Sequence, residues 1–122
     1  MANEITVTVA LSRKHATNTI DKHDIPSQRA TYTQSAVGQY DTKLSIGTTE
    51  EAVTFTDITT NGWAFMQNMD TTNYVEWGTT GAYIGRMRAT ETAGPFRINA
   101  GSTLYLKANT AACRVRVVMY ED

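Results

Sequence analysis

Residues 4 to 11 alternate Ile5, Val7, Val9 and Leu11 with Thr6, Thr8 and Ala10, a period of two that predicts a strand with one apolar face. Residues 12 to 29 lose that period. Basic, acidic and histidine side chains surround Pro26, and the stretch reads as a long polar loop or arm. Two strands are predicted at 30 to 37 and 40 to 46, joined as a hairpin across Gly38-Gln39. After a turn at Gly47-Thr48-Thr49, residues 52 to 58 alternate Val53 and Phe55 with Thr54 and Thr56, and Asn61-Gly62 supplies a strong turn dipeptide. Residues 63 to 67 and 73 to 77 read as the arms of an aromatic-rich hairpin across the polar loop 68 to 72. Further strands are predicted at 82 to 89, 96 to 98, 103 to 107 and 112 to 121, with Gly94-Pro95, Asn99-Ala100-Gly101 and Asn109-Thr110 between them. In the last strand Cys113, Val115, Val117 and Met119 share one face, and Arg114, Arg116, Val118 and Tyr120 the other.

About eight to ten short strands, turn signals every 8 to 12 residues or so and no helical period predict an all-β fold, a β-sandwich or jelly roll of antiparallel strands. At 122 residues one domain is expected, residues 1 to 122, with the polar arm at about 12 to 29. The 21 threonines suit half-exposed strands better than helices. A formal net charge of -1 removes the long-range attraction of a nucleic-acid or anionic-membrane binder. No run reaches the roughly 18 to 20 apolar residues of a membrane span, and Met-Ala-Asn-Glu lacks the features of a secretory signal, so synthesis in a cytoplasm is expected. The single cysteine, Cys113, precludes an internal disulfide.

Catalytic patterns are missing from the sequence. His15 and His23 lie in the polar arm with Asp21 and Asp24, but no ligand pair has a spacing that sets metal geometry, and a solvated arm is the better reading. There is no Gly-x-Ser-x-Gly elbow and no Walker loop; Gly78-Thr79-Thr80-Gly81 reads as a hairpin turn. The adjacent carboxylates Glu50-Glu51 and Glu121-Asp122 fall at strand ends. No enzyme, cofactor, metal site or small-molecule ligand is expected.

Candidate contact residues come from two groups. Arg86, Arg88, Arg97, Arg114 and Arg116 cluster late in the chain, and four of them, Arg86, Arg88, Arg114 and Arg116, are candidates for a basic stripe at a subunit interface, where arginine is enriched. An exposed face on which they meet Glu76 or Glu91 is the plainer alternative. Trp63, Tyr74, Trp77 and Tyr83 crowd one segment. Trp63 and Phe65 are expected in the interior, while Tyr74 and Trp77 must point opposite ways in an unbulged strand, which leaves Tyr74, Trp77 and Tyr83 as interface candidates.

The second half of the chain resembles small virion proteins of tailed bacteriophages. The resemblance is carried by Gly62-Trp63-Ala64-Phe65, by the run from Asn68 to Glu76, by Leu104-Tyr105-Leu106-Lys107-Ala108-Asn109-Thr110-Ala111 and by the closing Tyr120-Glu121-Asp122. Such proteins are compact β-sandwiches or jelly rolls, several of which decorate or cement icosahedral heads, commonly as trimers. The resemblance therefore implies a virion location and a homo-oligomer, with a trimer favoured. It also implies a major capsid or other virion protein as partner. A tail, neck or baseplate component is the alternative within the virion. A carbohydrate-binding module using Trp77 and Tyr83 as a stacking platform is the alternative outside it.

Overall fold

A computed structural model describes residues 4 to 14, 16, 17, 20 and 22 to 122. The chain forms two compact units, Met1–Ser35 and Ala36–Asp122. As the pattern of alternation predicts, the fold is all-β, with ten strands in antiparallel sheets of two, four and four.

The first unit is a ribbon of two strands, β1 (Ile5–Lys14) and β2 (Lys22–Tyr32). Their register runs from Ile5 opposite Tyr32 to Lys14 opposite Lys22, with a shift between Val9 and Leu11. The segment 12 to 29, read from sequence as a loop or arm, is thus largely strand. Its charged side chains masked the period because both faces of this ribbon are wet: every described residue from Thr8 to Thr31 is exposed. His15 and Asp21 lie outside the described residues. His23 stands opposite Arg13, and Asp24 opposite Ser12.

In the second unit, β3 (Gln39–Ile46), β5 (Asn61–Asn68), β8 (Thr92–Arg97) and β10 (Cys113–Glu121) form one sheet in the order β3-β10-β5-β8. The other sheet, β4-β9-β6-β7, contains β4 (Glu51–Ala52), β6 (Val75–Thr79), β7 (Ala82–Met87) and β9 (Tyr105–Ala108). The two sheets share one core: Met66, Val115, Val117 and Met119 of the first pack with Val75, Met87, Leu106 and Ala108 of the second, all buried. Strand β10 is central, flanked by β3 and β5, and its inward face is the predicted Cys113, Val115, Val117 and Met119.

Several sequence expectations change. Residues 30 to 37 and 40 to 46 do not pair with each other: β2 ends at Tyr32 and pairs with β1, whereas β3 pairs with β10. The predicted strand 52 to 58 shrinks to the two residues of β4, although Val53 still enters the core. Strands β5 and β6 belong to different sheets, so the aromatic hairpin is instead a crossing from one layer to the other. Trp63 and Phe65 are half-buried on the outer side, and β5 turns Ala64, Met66 and Asn68 inward. Alternation defines two sets without saying which is inside. The space between sheets, roughly 10 Å, is filled by unbranched Met66 and Met119 and small Ala64, while the wide indole of Trp63 remains outside under the Arg97 guanidinium, 5.2 Å from its ring centre.

The crossing is organised by Asn68. Its amide donates to the carbonyls of Asn73 at 2.9 Å, Met87 at 3.2 Å and Arg88 at 3.1 Å, and its Oδ1 accepts from the Asp70 N–H at 3.0 Å. The Asp70 carboxylate then accepts from the N–H groups of Thr72 and Asn73, closing the turn and holding its own carboxyl below the usual range. The polar loop that the sequence shows here is therefore a buried bonding node at its first residue.

A second carboxylate closes the chain end. A register shift after Tyr120 brings Glu121 to 6% exposure, where it accepts from the backbone N–H groups of Thr59 at 2.8 Å, Thr60 at 3.4 Å and Gly38 at 3.1 Å. A side chain at position 38 would collide with this carboxylate and with the Asp57 carbonyl. Bonding to the Thr59 N–H, outweighing burial, keeps the Glu121 carboxyl below its ordinary value of 4.5. Because the folded value is the lower one, this stabilisation is complete above about pH 4.5 and is lost as pH falls through the folded value. Glu121→Gln should therefore flatten the acid side of a melting-temperature profile below pH 4.5 relative to the parent; an unchanged slope would contradict the role.

Candidate functional site

Strands β7 and β8 end their respective sheets on the same flank of the sandwich. Between them a groove of about 360 Å³ opens, at the lower end of the roughly 300–1,000 Å³ range of binding clefts. Trp77, Ile84, Phe96, Ile98 and Leu104 give it an apolar floor, and Asn99, Ser102 and Thr103 add polar groups. Trp77 stacks on Phe96 with ring centres 5.1 Å apart and planes 15° from parallel. Ile84 stands at the surface, 83% exposed.

The indole of Trp77 can lie where it does because its cross-strand partner is Gly85. Any Cβ there would fall well inside the ring, so a glycine in mid-strand marks a close approach. Gly85→Val should displace the indole, shifting tryptophan emission and costing about 1–3 kcal/mol in denaturant unfolding. Unchanged emission and stability would show that the ring does not depend on this space.

Tyr83 is committed elsewhere. Its hydroxyl donates to Glu50, which also accepts from the Thr80 hydroxyl and, at 2.7 Å, from the Gly81 N–H. The Thr80, Tyr83 and Gly81 donors hold the Glu50 carboxyl below its ordinary range, and the bond to Glu50 pushes the Tyr83 phenol up to about 12. This cluster fastens the β6–β7 turn, which is the hairpin expected at Gly78-Thr79-Thr80-Gly81, to the start of β4. Tyr83 does not line the groove that holds Trp77, and the two do not form a joint stacking platform.

The arginines separate into two groups. Arg86, opposite Glu76 in the register, places its guanidinium 4.0 Å from the Tyr74 ring centre on the β4-β9-β6-β7 sheet. Arg88 follows the end of β7, where its backbone N–H donates to Glu91 at 2.7 Å. Arg114 and Arg116 lie on β10 in the other sheet. There Arg116 forks Asp41 with bonds of 2.9 and 2.7 Å, which lowers the Asp41 carboxyl and raises the guanidinium. With Lys43 and Arg114 this pair borders an open hollow of about 600 Å³. The four candidate arginines therefore do not form one stripe. Tyr74 and Trp77 face opposite ways, as alternation requires: Tyr74 lies beneath Arg86, and Trp77 turns to the groove.

The groove residues Ile84, Phe96, Ile98 and Leu104 escaped the sequence reading. Only Gly85 signals them, as an isolated glycine inside a strand pattern. Cys113 is buried, and that burial pushes its thiol up, away from reactive thiolate. No protein-family model matches the chain, and no curated protein or solved structure matches it either.

Proposed function

We propose that this protein is a non-enzymatic structural subunit of a phage virion, of the head decoration or cement kind, which grips copies of itself and a larger protein shell. One observation carries the assembly part of this reading: the sandwich closes on its own core, while the ribbon has every described residue from Thr8 to Thr31 exposed. A two-stranded ribbon is at best marginal in water alone, and long open edges are a template for pairing with another chain. A partner that covers it supplies the missing burial, at roughly 25 cal/mol per Å² of apolar surface. The virion setting rests on the resemblance of residues 62 to 122 to small phage virion proteins.

A tail or neck position uses the same physics and differs only in the partner. The sugar-binding alternative has less support, since Trp77 is already stacked on Phe96 and Tyr83 is tied to Glu50. The test combines light scattering over a dilution series with cryo-electron microscopy of a phage particle that carries the protein. An oligomer in solution and density at three-fold positions on the head are expected. A monomer at all concentrations, with no density on head or tail, would overturn the proposal.

A further inference from the structure

We infer that the apolar groove between β7 and β8 receives the β1–β2 ribbon of a second copy of this chain, with the cross-strand pair Leu11 and Ile25 entering it. The inference rests on the assembly reading above and names the surface the ribbon meets.

The molecule carries one exposed apolar projection and one exposed apolar concavity. Val9, Leu11, Ile20 and Ile25 are half of the large exposed hydrophobic residues among those described. Leu11 and Ile25 are partners in the ribbon register, so they share a face, and they remain 65% and 40% exposed. The concavity is floored by Trp77, Phe96, Ile98 and Leu104, with Ile84 standing at its surface. The edge strands β7 and β8 beside it can offer backbone groups to an incoming strand, as sheet edges do.

Charge supports the same pairing. The ribbon unit carries four Lys or Arg against three Asp or Glu, and the sandwich unit seven against nine. At the ribbon tip Lys14 faces Lys22 and Arg13 faces His23. Like charges directly opposite each other destabilise a free ribbon, and a net-acidic neighbour relieves that repulsion.

Area decides the form of assembly. A ribbon about 33 Å long and about 10 Å wide presents roughly 330 Å² on one face, less than half the ~800 Å² per partner of a stable interface. The contact is heterologous, projection into concavity, so each copy can give its ribbon to one neighbour and accept one from another. That doubles the contact per copy and leaves no open end once a ring closes. A closed ring is therefore favoured over a two-copy contact.

Cross-linking tests the geometry. Leu11→Cys is made in one chain and Ile84→Cys in another bearing a tag that shifts its mass, and the two are mixed under oxidised glutathione. The expected product is a disulfide-linked pair, one copy of each variant, at about twice the 13.5 kDa chain mass. Val37→Cys, at another highly exposed position, replaces Ile84→Cys as the control and should give at least tenfold less. Equal linking at 37 and 84 would reduce the result to random collision and overturn the inference. An oligomer by light scattering with no 11–84 link would remove the groove as the ribbon's seat and leave the assembly reading standing. A monomer with no link would overturn both.

Discussion

Val117→Asp should abolish folding of the sandwich, whereas Thr54→Asp should be tolerated. Val117 has no exposed surface and lies in the middle of β10, opposite Thr42 on one side and Met66 on the other, within the core shared by both sheets. A carboxylate there has no partner and must either be buried charged or draw water into the core, at a cost above about 4–5 kcal/mol. Since small domains are stable by only about 5–15 kcal/mol, the change removes most or all of the margin. Thr54 is exposed in the loop after β4, where a substitution usually moves stability by no more than about 0.5 kcal/mol. Soluble yield and circular-dichroism melting distinguish them: loss of the cooperative transition in Val117→Asp alone is the expected result. Equal melting of the two variants would show that the inward face of β10 has been misassigned.

Asn68→Leu is expected to be the next most damaging change, although it adds apolar volume in a buried place. The side chain has no exposed surface, and its amide serves three carbonyls while its oxygen takes the Asp70 N–H. Leucine strands these groups away from water, and each buried group left without its bond costs about 1–3 kcal/mol. A loss of about 3–5 kcal/mol in urea unfolding follows, with the end of β7 and the loop 69 to 74 opening first in hydrogen exchange. Asn68→Asp should be at least as damaging, because it keeps the acceptor, deletes the donors and adds a charge. A change below about 1 kcal/mol in either variant would contradict the nodal role.

These two residues show where the sequence was legible and where it was not. Val117 could be placed from alternation alone, because β10 carries four apolar side chains at every second position and basic residues between them. Asn68 could not, because its bonds are to carbonyls 5, 19 and 20 positions away, and composition reports only a polar residue at the start of a loop. The same limit explains Trp63 and Phe65. Period two separated them from Ala64 and Met66, but the choice of inner set depends on the room between sheets, which no local pattern records. Pairing was the least accessible feature. Gly38-Gln39 suggested a hairpin, yet Gly38 serves instead as a close seat for the Glu121 carboxylate, 83 positions along the chain. The ribbon was half visible: β1 announced itself through its apolar alternation, whereas β2, exposed at every residue except Tyr32, carried no burial signal to read.

The groove illustrates a further point about candidate sites. Trp77 was recognised as a candidate, but its neighbours come from β7, β8 and the segment before β9, and their convergence is a product of sheet order. Tyr83 shared its stretch of sequence with Trp77, yet the glutamate that binds its hydroxyl lies 33 positions earlier. Proximity in sequence is a poor guide to a shared surface once a strand carries a bulge, as the β6–β7 pair does beside Gly78.

The most direct measurement is the molar mass and thermal unfolding of the protein from which residues 12 to 29 have been deleted, beside the full chain. If the sandwich is self-sufficient and the ribbon serves assembly, the deletion keeps a cooperative melt and turns an oligomer into a monomer at the same concentration. A deleted protein that fails to fold, or one that keeps the full oligomer mass, would contradict that division of labour.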